Sequence, residues 1–371
     1  MIFKITISTI LAYLLMKMIV PYFNIIFKRL GFVDKAGLER KIHTHNIPIT
    51  GGLAMGVSIF LIMSMHANDA SLFTELTASL LTGAMLLMLT GIVDDKIDLN
   101  PFFKLAIQLY CASFLVIKGL FLDQVFELVQ LGMTPLYLKK AISILLIIGV
   151  VNAYNLIDGI DGLAGSLFFA AFTWLGATAA FMGRVDIAFF CMVIMAVVFA
   201  FLGFNISVKD KTFMGDGGSL PLGYLLAGLS IAVLEGGATS SHASVILIGT
   251  CALLSIPIFD EARVFLARIN AGRSPFYADK THIHHILLQI SPKHSTVRNW
   301  IISGMIINFS VSVILATLSG VLLAGSWFLL SFFGLWTILT QQRNMYLHRQ
   351  ALQVLEKPWQ GASKEVQPSM G

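Results

Sequence analysis

The chain has 371 residues, of which 57% are hydrophobic and only 12% are charged, and its formal net charge is +5. A soluble domain of this length would carry roughly 25% charged residues, so the composition excludes a soluble protein. Apolar runs close to the roughly 18 residues that a membrane-spanning helix needs recur along the whole chain. We therefore expect an all-α polytopic membrane protein.

The apolar runs predict a bundle of ten or eleven transmembrane helices in one domain, residues 1–341, followed by a flexible cytoplasmic tail, 342–371. The first run is longer than a signal-peptide core and no small-residue cleavage site follows it, so we expect it to span the membrane. The fifth and eighth runs are short, which leaves ten helices as the alternative. The eleven predicted spans are 2–27, 49–66, 76–93, 102–120, 138–153, 164–182, 185–204, 220–235, 243–260, 299–323 and 325–341.

Most of the 25 Lys and Arg residues fall in the odd-numbered connections and the C-terminal tail. The positive-inside rule then places these connections and the C-terminus in the cytoplasm and the N-terminus outside. This asymmetry explains the net positive charge of the chain, so we expect no nucleic-acid partner. Most acidic residues follow the same side, which the rule does not require, so we expect a cytoplasmic active face.

Two of these connections are cationic. The first contains Arg-Lys-x-His ahead of Gly51-Gly52, and the fifth combines Arg and Lys with a His-x-His-His motif. Arg and Lys beside histidine favour an anionic ligand in both, and the fifth lacks the Cys or His-Glu-x-x-His partner of a zinc site. The alternative is an ordinary positive-inside anchor for the first connection and a solvated basic loop for the fifth. The predicted anion-binding residues are Arg40, Lys41, His43, Arg273, Lys280, His282, His284 and His285.

The second connection begins with Asp94-Asp95 and continues to Asp98, Pro101 and Lys104. Adjacent aspartates at a helix end repel each other, and burial of their ionised forms is costly. A divalent cation, a nearby base or a proton would relieve this repulsion. A hydrated loop with capping carboxylates is the alternative.

The third connection repeats carbonyl-bearing side chains at intervals of three: Asn152, Asn155, Asp158 and Asp161. Such oxygens suit a hard cation such as Mg²⁺, and the glycines after both aspartates would end the helix and let a ligand approach the backbone.

The fourth connection places Lys211 ahead of Asp216, which is set among glycines just before a helix. This pattern fits a metal ligand beside a phosphate held at a helix N-terminus. A capping turn is the alternative for both connections.

Together, in this order and on one membrane face, the five segments resemble the polyprenyl-phosphate N-acetylhexosamine-1-phosphate transferases. One departure is Gly217-Gly218, where the family more often has a single non-glycine residue before Gly-Ser. The matching pieces are the Arg-Lys-x-His and Gly-Gly of the first connection, Asp94-Asp95, Asn155-Leu-Ile-Asp158-Gly-Ile-Asp161-Gly-Leu, Phe213-Met-Gly-Asp216-x-Gly-Ser and His282-x-His284-His285.

The resemblance implies a multi-pass enzyme of the bacterial inner membrane. It would transfer a sugar 1-phosphate from a UDP-N-acetylhexosamine to undecaprenyl phosphate and release UMP. The Arg-Ser-Pro-Phe and His-x-His-His pieces look closer to the N-acetylglucosamine branch, which initiates O-antigen, other cell-envelope polysaccharide or teichoic acid synthesis, than to the muramoyl-pentapeptide branch. The expected cofactor is Mg²⁺, with Mn²⁺ as a substitute. The sequence leaves the oligomeric state open, with a homodimer as one option.

Within this hypothesis Asp216 is the principal metal ligand, assisted by Asn155 or Asp158. Asp94 and Asp95 position the lipid phosphate or accept its proton, and Asp161 faces the nucleotide or sugar. Lys104 and Lys211 join the residues that bind substrate. Direct attack by the lipid phosphate and a covalent aspartyl-phosphate route both fit these residues.

Two other classes of protein are weaker alternatives. Asp94-Asp95-x-x-Asp98 matches the aspartate-rich motif of prenyltransferases, but this reading leaves the Met-Gly-Asp and His-x-His-His motifs without a role. A transporter would place polar groups at the membrane midplane, often in repeated halves, whereas here no repeat is present and the polar groups lie at helix ends.

Overall fold

The computed structural model describes residues 1–34, 47–274 and 281–356. It consists of twelve helices and one short hairpin, in which β1 (Val33–Asp34) pairs antiparallel with β2 (Ile47–Pro48). The helices are α1 (Ile2–Arg29), α2 (Gly51–Ser64), α3 (Glu75–Ile97), α4 (Pro101–Ile117), α5 (Gln124–Leu128), α6 (Leu136–Leu156), α7 (Leu163–Phe181), α8 (Val185–Asn205), α9 (Asp216–Gly237), α10 (Ala243–Asn270), α11 (Ile283–Ile290) and α12 (His294–Glu356).

Every predicted span falls on a helix, and the all-α polytopic fold is confirmed. Within the described part of the chain, eight helices are long and apolar enough to cross a membrane, and α2 and α4 are shorter apolar helices. The last two predicted spans are the two halves of α12, which are separated at Gly320, where φ is 76°. The second half runs back along α10, because Phe259 of α10 packs against Phe328 and Phe332. The limit of the predicted tail at residue 342 stays a prediction, and α12 continues to Glu356.

Helix α9 lies at the centre of the bundle, and its 18-residue apolar stretch is completely buried. It packs against α2, α3, α6, α7 and α10. Glycines make the closest of these contacts, because a Cβ atom on Gly91 would overlap the Asp216 carbonyl and one on Gly52 would overlap the Gly218 backbone. The N-terminus of α9 is therefore fixed between α2 and α3.

The described parts of the polar segments predicted to share a side lie at one end of the bundle. The C-terminal ends of α3, α6, α8 and α10 meet the N-terminal ends of α4, α7, α9 and α12 there. The helices extend past the predicted spans, so that Asp94, Asp95, Asn155 and Asp216 lie in terminal helical turns and not in loops. Helical ends hold these side chains more rigidly than loops would.

Candidate active site

Two carboxylates from different helices meet at a lysine from a third. Nζ of Lys104, in the first turn of α4, donates to Oδ2 of Asp94 at 2.7 Å and to Oδ2 of Asp216 at 3.3 Å. The other Asp94 oxygen accepts the backbone N–H of Leu99 at 2.7 Å. The Asp94 side chain is 8% exposed, whereas Lys104 and Asp216 retain 22% and 25% exposure. This group of residues is thus anchored but open to a ligand on one side.

Asn155, in the last turn of α6, completes this group. Its Nδ2 donates to Oδ1 of Asp216 at 2.8 Å and to Oγ of Ser219 at 2.8 Å. The three residues that sequence reasoning placed around one ligand, Asp94, Asn155 and Asp216, therefore do converge, although they are far apart in the chain.

Asp95 does not share the partners of Asp94 but caps the N-terminus of α9. Its two carboxylate oxygens accept the backbone N–H groups of Asp216 at 2.8 Å and Gly217 at 3.1 Å. Gly215, the residue before the helix, has φ 67°, a conformation that favours glycine. The expectation that a phosphate binds at this helix N-terminus is wrong, because a protein carboxylate already uses the free N–H groups.

An amide pair one helical turn deeper joins α4 to α6. Nδ2 of Asn152 donates to Oε1 of Gln108 at 2.8 Å, and Nε2 of Gln108 donates to Oδ1 of Asn152 at 3.3 Å. Gln108 follows Lys104 by four residues and Asn152 precedes Asn155 by three, so each shares a helix face with a residue that contacts Asp216. The sequence predicted Asn152 as a possible cation ligand and did not predict its pairing with Gln108, although buried amides in apolar helices are a usable signal.

The Asp158–Gly159 turn after α6 forms the floor beneath α11. Burial, reinforced by the charges of Asp216, Asp95 and Asp161, raises the pKa of Asp158 to about 7. Gly159 lies directly against the imidazole of His284, so that no side chain would fit there. His284 is only 1% exposed, and its burial lowers the pKa of the imidazole to about 3. His284 is thus a neutral residue that docks α11 on this turn.

Asp161 lies in a cationic neighbourhood. Its Oδ2 accepts a hydrogen bond from Nζ of Lys211 at 2.6 Å and lies 3.3 Å from Nδ1 of His294, and Arg298 donates to its backbone carbonyl at 3.4 Å. Partial burial opposes ionisation, but the hydrogen bonds from His294 and Lys211 hold the pKa of Asp161 below its ordinary value. His294 and Arg298 were not predicted from the sequence, where the signal was basic residues in the first two turns of α12.

The other predicted anion-binding residues are only partly described. The ring of His285 lies beside that of His284 at a tilt of 46°, with ring centroids 4.2 Å apart, and Arg273 follows the end of α10. His282 is the N-cap of α11. Arg40, Lys41, His43 and Lys280 lie outside the described residues.

The donor set fits a magnesium ion. Asp94 and Asp216 are close enough to interact directly, and Asp95 adds negative charge beside the single cation Lys104. Among the described residues no three His, Cys, Asp or Glu side chains form a ready metal cluster. Mg²⁺ does not need one, because it binds through one or two carboxylates plus waters and substrate phosphates.

Comparison with known proteins decides the family. Residues 77–234 match the glycosyl transferase family 4. The chain is 33% identical over 297 residues to a probable undecaprenyl-phosphate N-acetylglucosaminyl 1-phosphate transferase of Bacillus subtilis, covering 78% of this chain and 79% of that protein. The chain belongs to glycosyl transferase family 4.

Other relatives in this family carry related names. The chain is 27% identical over 272 residues to the undecaprenyl-phosphate alpha-N-acetylglucosaminyl 1-phosphate transferase of Escherichia coli K12, covering 71% of this chain and 70% of that protein. The protein of the same name from Yersinia pestis is 27% identical over 271 residues, with 70% of each chain covered. The matched region 77–234 includes Asp94, Asn155 and Asp216 of this chain.

Proposed function

We propose that the chain transfers N-acetylglucosamine 1-phosphate from UDP-N-acetylglucosamine to undecaprenyl phosphate and releases UMP. The observation that carries the proposal is the convergence of Asp94, Lys104, Asn155 and Asp216 at one end of the bundle. The names of the family 4 relatives specify the acceptor and the transferred sugar for those proteins. A site at helix ends suits a reaction between a lipid phosphate at the membrane surface and a water-soluble nucleotide.

The reaction joins two anions. An oxygen of the lipid phosphate attacks the phosphorus that carries the sugar, a new diphosphate bond forms, and the bond to the UMP oxygen breaks. At an effective dielectric constant of about 20, two unit charges 4 Å apart repel by roughly 4 kcal/mol. Lys104 supplies a cation between the carboxylates, and Lys211, His294 and Arg298 surround Asp161. These groups lower the repulsion and orient the two phosphates.

Asp216 and Asn155 would hold a magnesium ion, with Asp94 beside them. Bound Mg²⁺ supplies electrostatic stabilisation of the diphosphate and of the leaving UMP. The remaining coordination positions suit phosphate oxygens and water. Metal dependence is tested by UMP release after chelation and after return of Mg²⁺ or Mn²⁺.

We propose direct attack by the lipid phosphate over a covalent aspartyl-phosphate route. Asp94, Asp95 and Asp216 each have both carboxylate oxygens engaged by donors, which makes them poor nucleophiles. A phosphate with a second pKa near 6 is largely dianionic at neutral pH and needs no strong base. Incubation with radiolabelled UDP-sugar in the absence of lipid decides the point, because a labelled phospho-enzyme would establish the covalent route.

The active end faces the cytoplasm in this proposal, as in a bacterial inner-membrane enzyme. The support is that the site end carries most of the Lys and Arg residues.

The decisive assay measures UMP release from UDP-N-acetylglucosamine by purified protein with added undecaprenyl phosphate. Asp216→Ala should abolish release without reducing the amount of folded protein. Glu75→Ala is the matched control, because Glu75 is also an acidic residue at the start of a helix but lies at the opposite end of the bundle. Normal activity of Asp216→Ala would refute the role of this carboxylate. A panel that includes UDP-muramoyl-pentapeptide and other UDP-sugars tests the choice of sugar.

A further inference from the structure

A buried ion pair near the end of α10 holds the first histidine of the His-x-His-His motif. Nη2 of Arg263 donates to Oδ1 of Asp260 at 2.6 Å, and Nδ1 of His282 lies 2.9 Å from Oδ2 of the same carboxylate. The side chains of Asp260, Arg263 and His282 are 3%, 5% and 7% exposed. Neither Asp260 nor Arg263 belongs to the motifs that carry the family resemblance.

The same carboxylate fixes the beginning of α11. Both oxygens of Asp260 lie 3.0 Å from the backbone N–H of Ile283, and Arg263 also donates to the Thr281 carbonyl at 2.6 Å. The residues on both sides of His282 are thereby held to α10. On its other side α11 is docked on the Asp158–Gly159 turn through His284. The His282 backbone therefore has little freedom to move.

The hydrogen bond to Asp260 also sets the orientation of the His282 ring. An ionised carboxylate only accepts hydrogen bonds, so Nδ1 of His282 carries the proton. Nε2 makes no hydrogen bond within residues 1–34, 47–274 and 281–356 and is left for a ligand. A carboxylate behind a histidine commonly fixes its tautomer and ring direction in this way.

We propose that Asp260 and Arg263 are positioning residues that present Nε2 of His282 to the UDP-sugar. The inference rests on the proposed function and deepens it, because it gives the first and second histidines of the motif different tasks. His282 contacts the donor substrate, whereas His284 docks α11 on Gly159. Arg263 keeps Asp260 ionised in its buried position and ties Thr281, the residue before His282, to α10.

A double-mutant cycle on the full-length protein tests this coupling. Asp260→Asn, His282→Asn and the double variant are compared by UMP release over a range of UDP-N-acetylglucosamine concentrations. Each single substitution should lower kcat/KM about tenfold or more, as loss of a residue that orients a ligating histidine does. The double variant should be no worse than His282→Asn alone, because Asp260 acts through that ring. Glu261→Gln, which alters the neighbouring acid on α10, should leave kcat/KM unchanged.

His282→Asn separates contact with substrate from structural support. The asparagine amide can still donate to Asp260 near the position of Nδ1, but it has no atom in place of Nε2. Loss of activity at an unchanged melting temperature supports the proposal, and wild-type kinetics overturn it. Multiplicative losses in the double variant also overturn it, since they show that Asp260 does not act through His282. Should Asp260→Asn fail to fold, Arg263→Lys takes its place in the cycle. Absence of UMP release by the wild type would instead refute the proposed function.

Discussion

Replacing Gly91 by alanine tests whether the packing of α3 on α9 sets the position of Asp216. A Cβ atom at Gly91 would overlap the Asp216 carbonyl group and would lie 2.5 Å from the Gly217 nitrogen. Ordinary contact requires about 3.5 Å, so the two helices would have to separate by about 1 Å. The alanine itself favours the helix by about 1 kcal/mol, which offsets part of an overpacking cost of about 1–3 kcal/mol.

The displacement should affect catalysis more than folding. A shift of about 1 Å in a catalytic group can cost about 100-fold in rate, and Asp216 would move relative to Lys104 and Asn155. We expect kcat of Gly91→Ala to fall about 100-fold in the UMP-release assay, with folded protein still recovered from the membrane. Gly149→Ala in α6 is the control, because a Cβ there meets no atom within 4 Å. Wild-type activity of Gly91→Ala would refute the argument that this contact positions the carboxylate.

Three further predictions concern packing, pH and topology. Gln108→Leu leaves Asn152 without its reciprocal partner, so thermal melting in detergent should show a loss of about 1 kcal/mol and kcat should fall; unchanged values would exclude a positioning role. The pKa of Asp158 is raised to about 7 in the folded protein. Its contribution to the free energy of unfolding is therefore fully present below a pH of about 4 and is lost as the pH rises through about 7, because the unfolded state releases this proton first. Asp158→Asn should therefore melt with a flatter pH dependence than the wild type, and parallel curves would contradict this. Met133 and Val208 are fully exposed at opposite ends of the bundle. In a background without the native cysteines, an impermeant thiol reagent added to intact cells should label Met133→Cys but not Val208→Cys, and the reverse pattern would invert the orientation.

Hydropathy predicted the helices well because the cost of burying charge in a bilayer dominates the pattern. It predicted their ends less well. The predicted third span stops at residue 93, but α3 continues through Asp94 and Asp95 to Ile97, because a helix can extend beyond the apolar layer once water or a partner satisfies its charges. The short helices α5 and α11 do not span the membrane, so no long apolar run in the sequence predicted them.

The candidate site was predictable where residues of one chemical type cluster along the chain. Asp94, Asn155 and Asp216 fell in such clusters, and they converge in the structure. Asp260 could not be assigned a partner, because its contact with His282 depends on how α10 and α11 pack and not on a local pattern. His294 stayed unassigned for the same reason, since its partner Asp161 lies 133 residues earlier.

The hydrogen bonds that the Asp95 carboxylate accepts from the first N–H groups of α9 affect how the substrates can bind. A helix N-terminus carries a partial positive charge that often attracts phosphate, but at α9 this charge is already neutralised by the Asp95 carboxylate. Neither substrate phosphate can therefore rely on the central helix dipole for its binding energy. In the proposed mechanism, selectivity for the substrate phosphates would come from side-chain cations and the proposed Mg²⁺ ion, and we therefore expect substrate binding to respond to ionic strength.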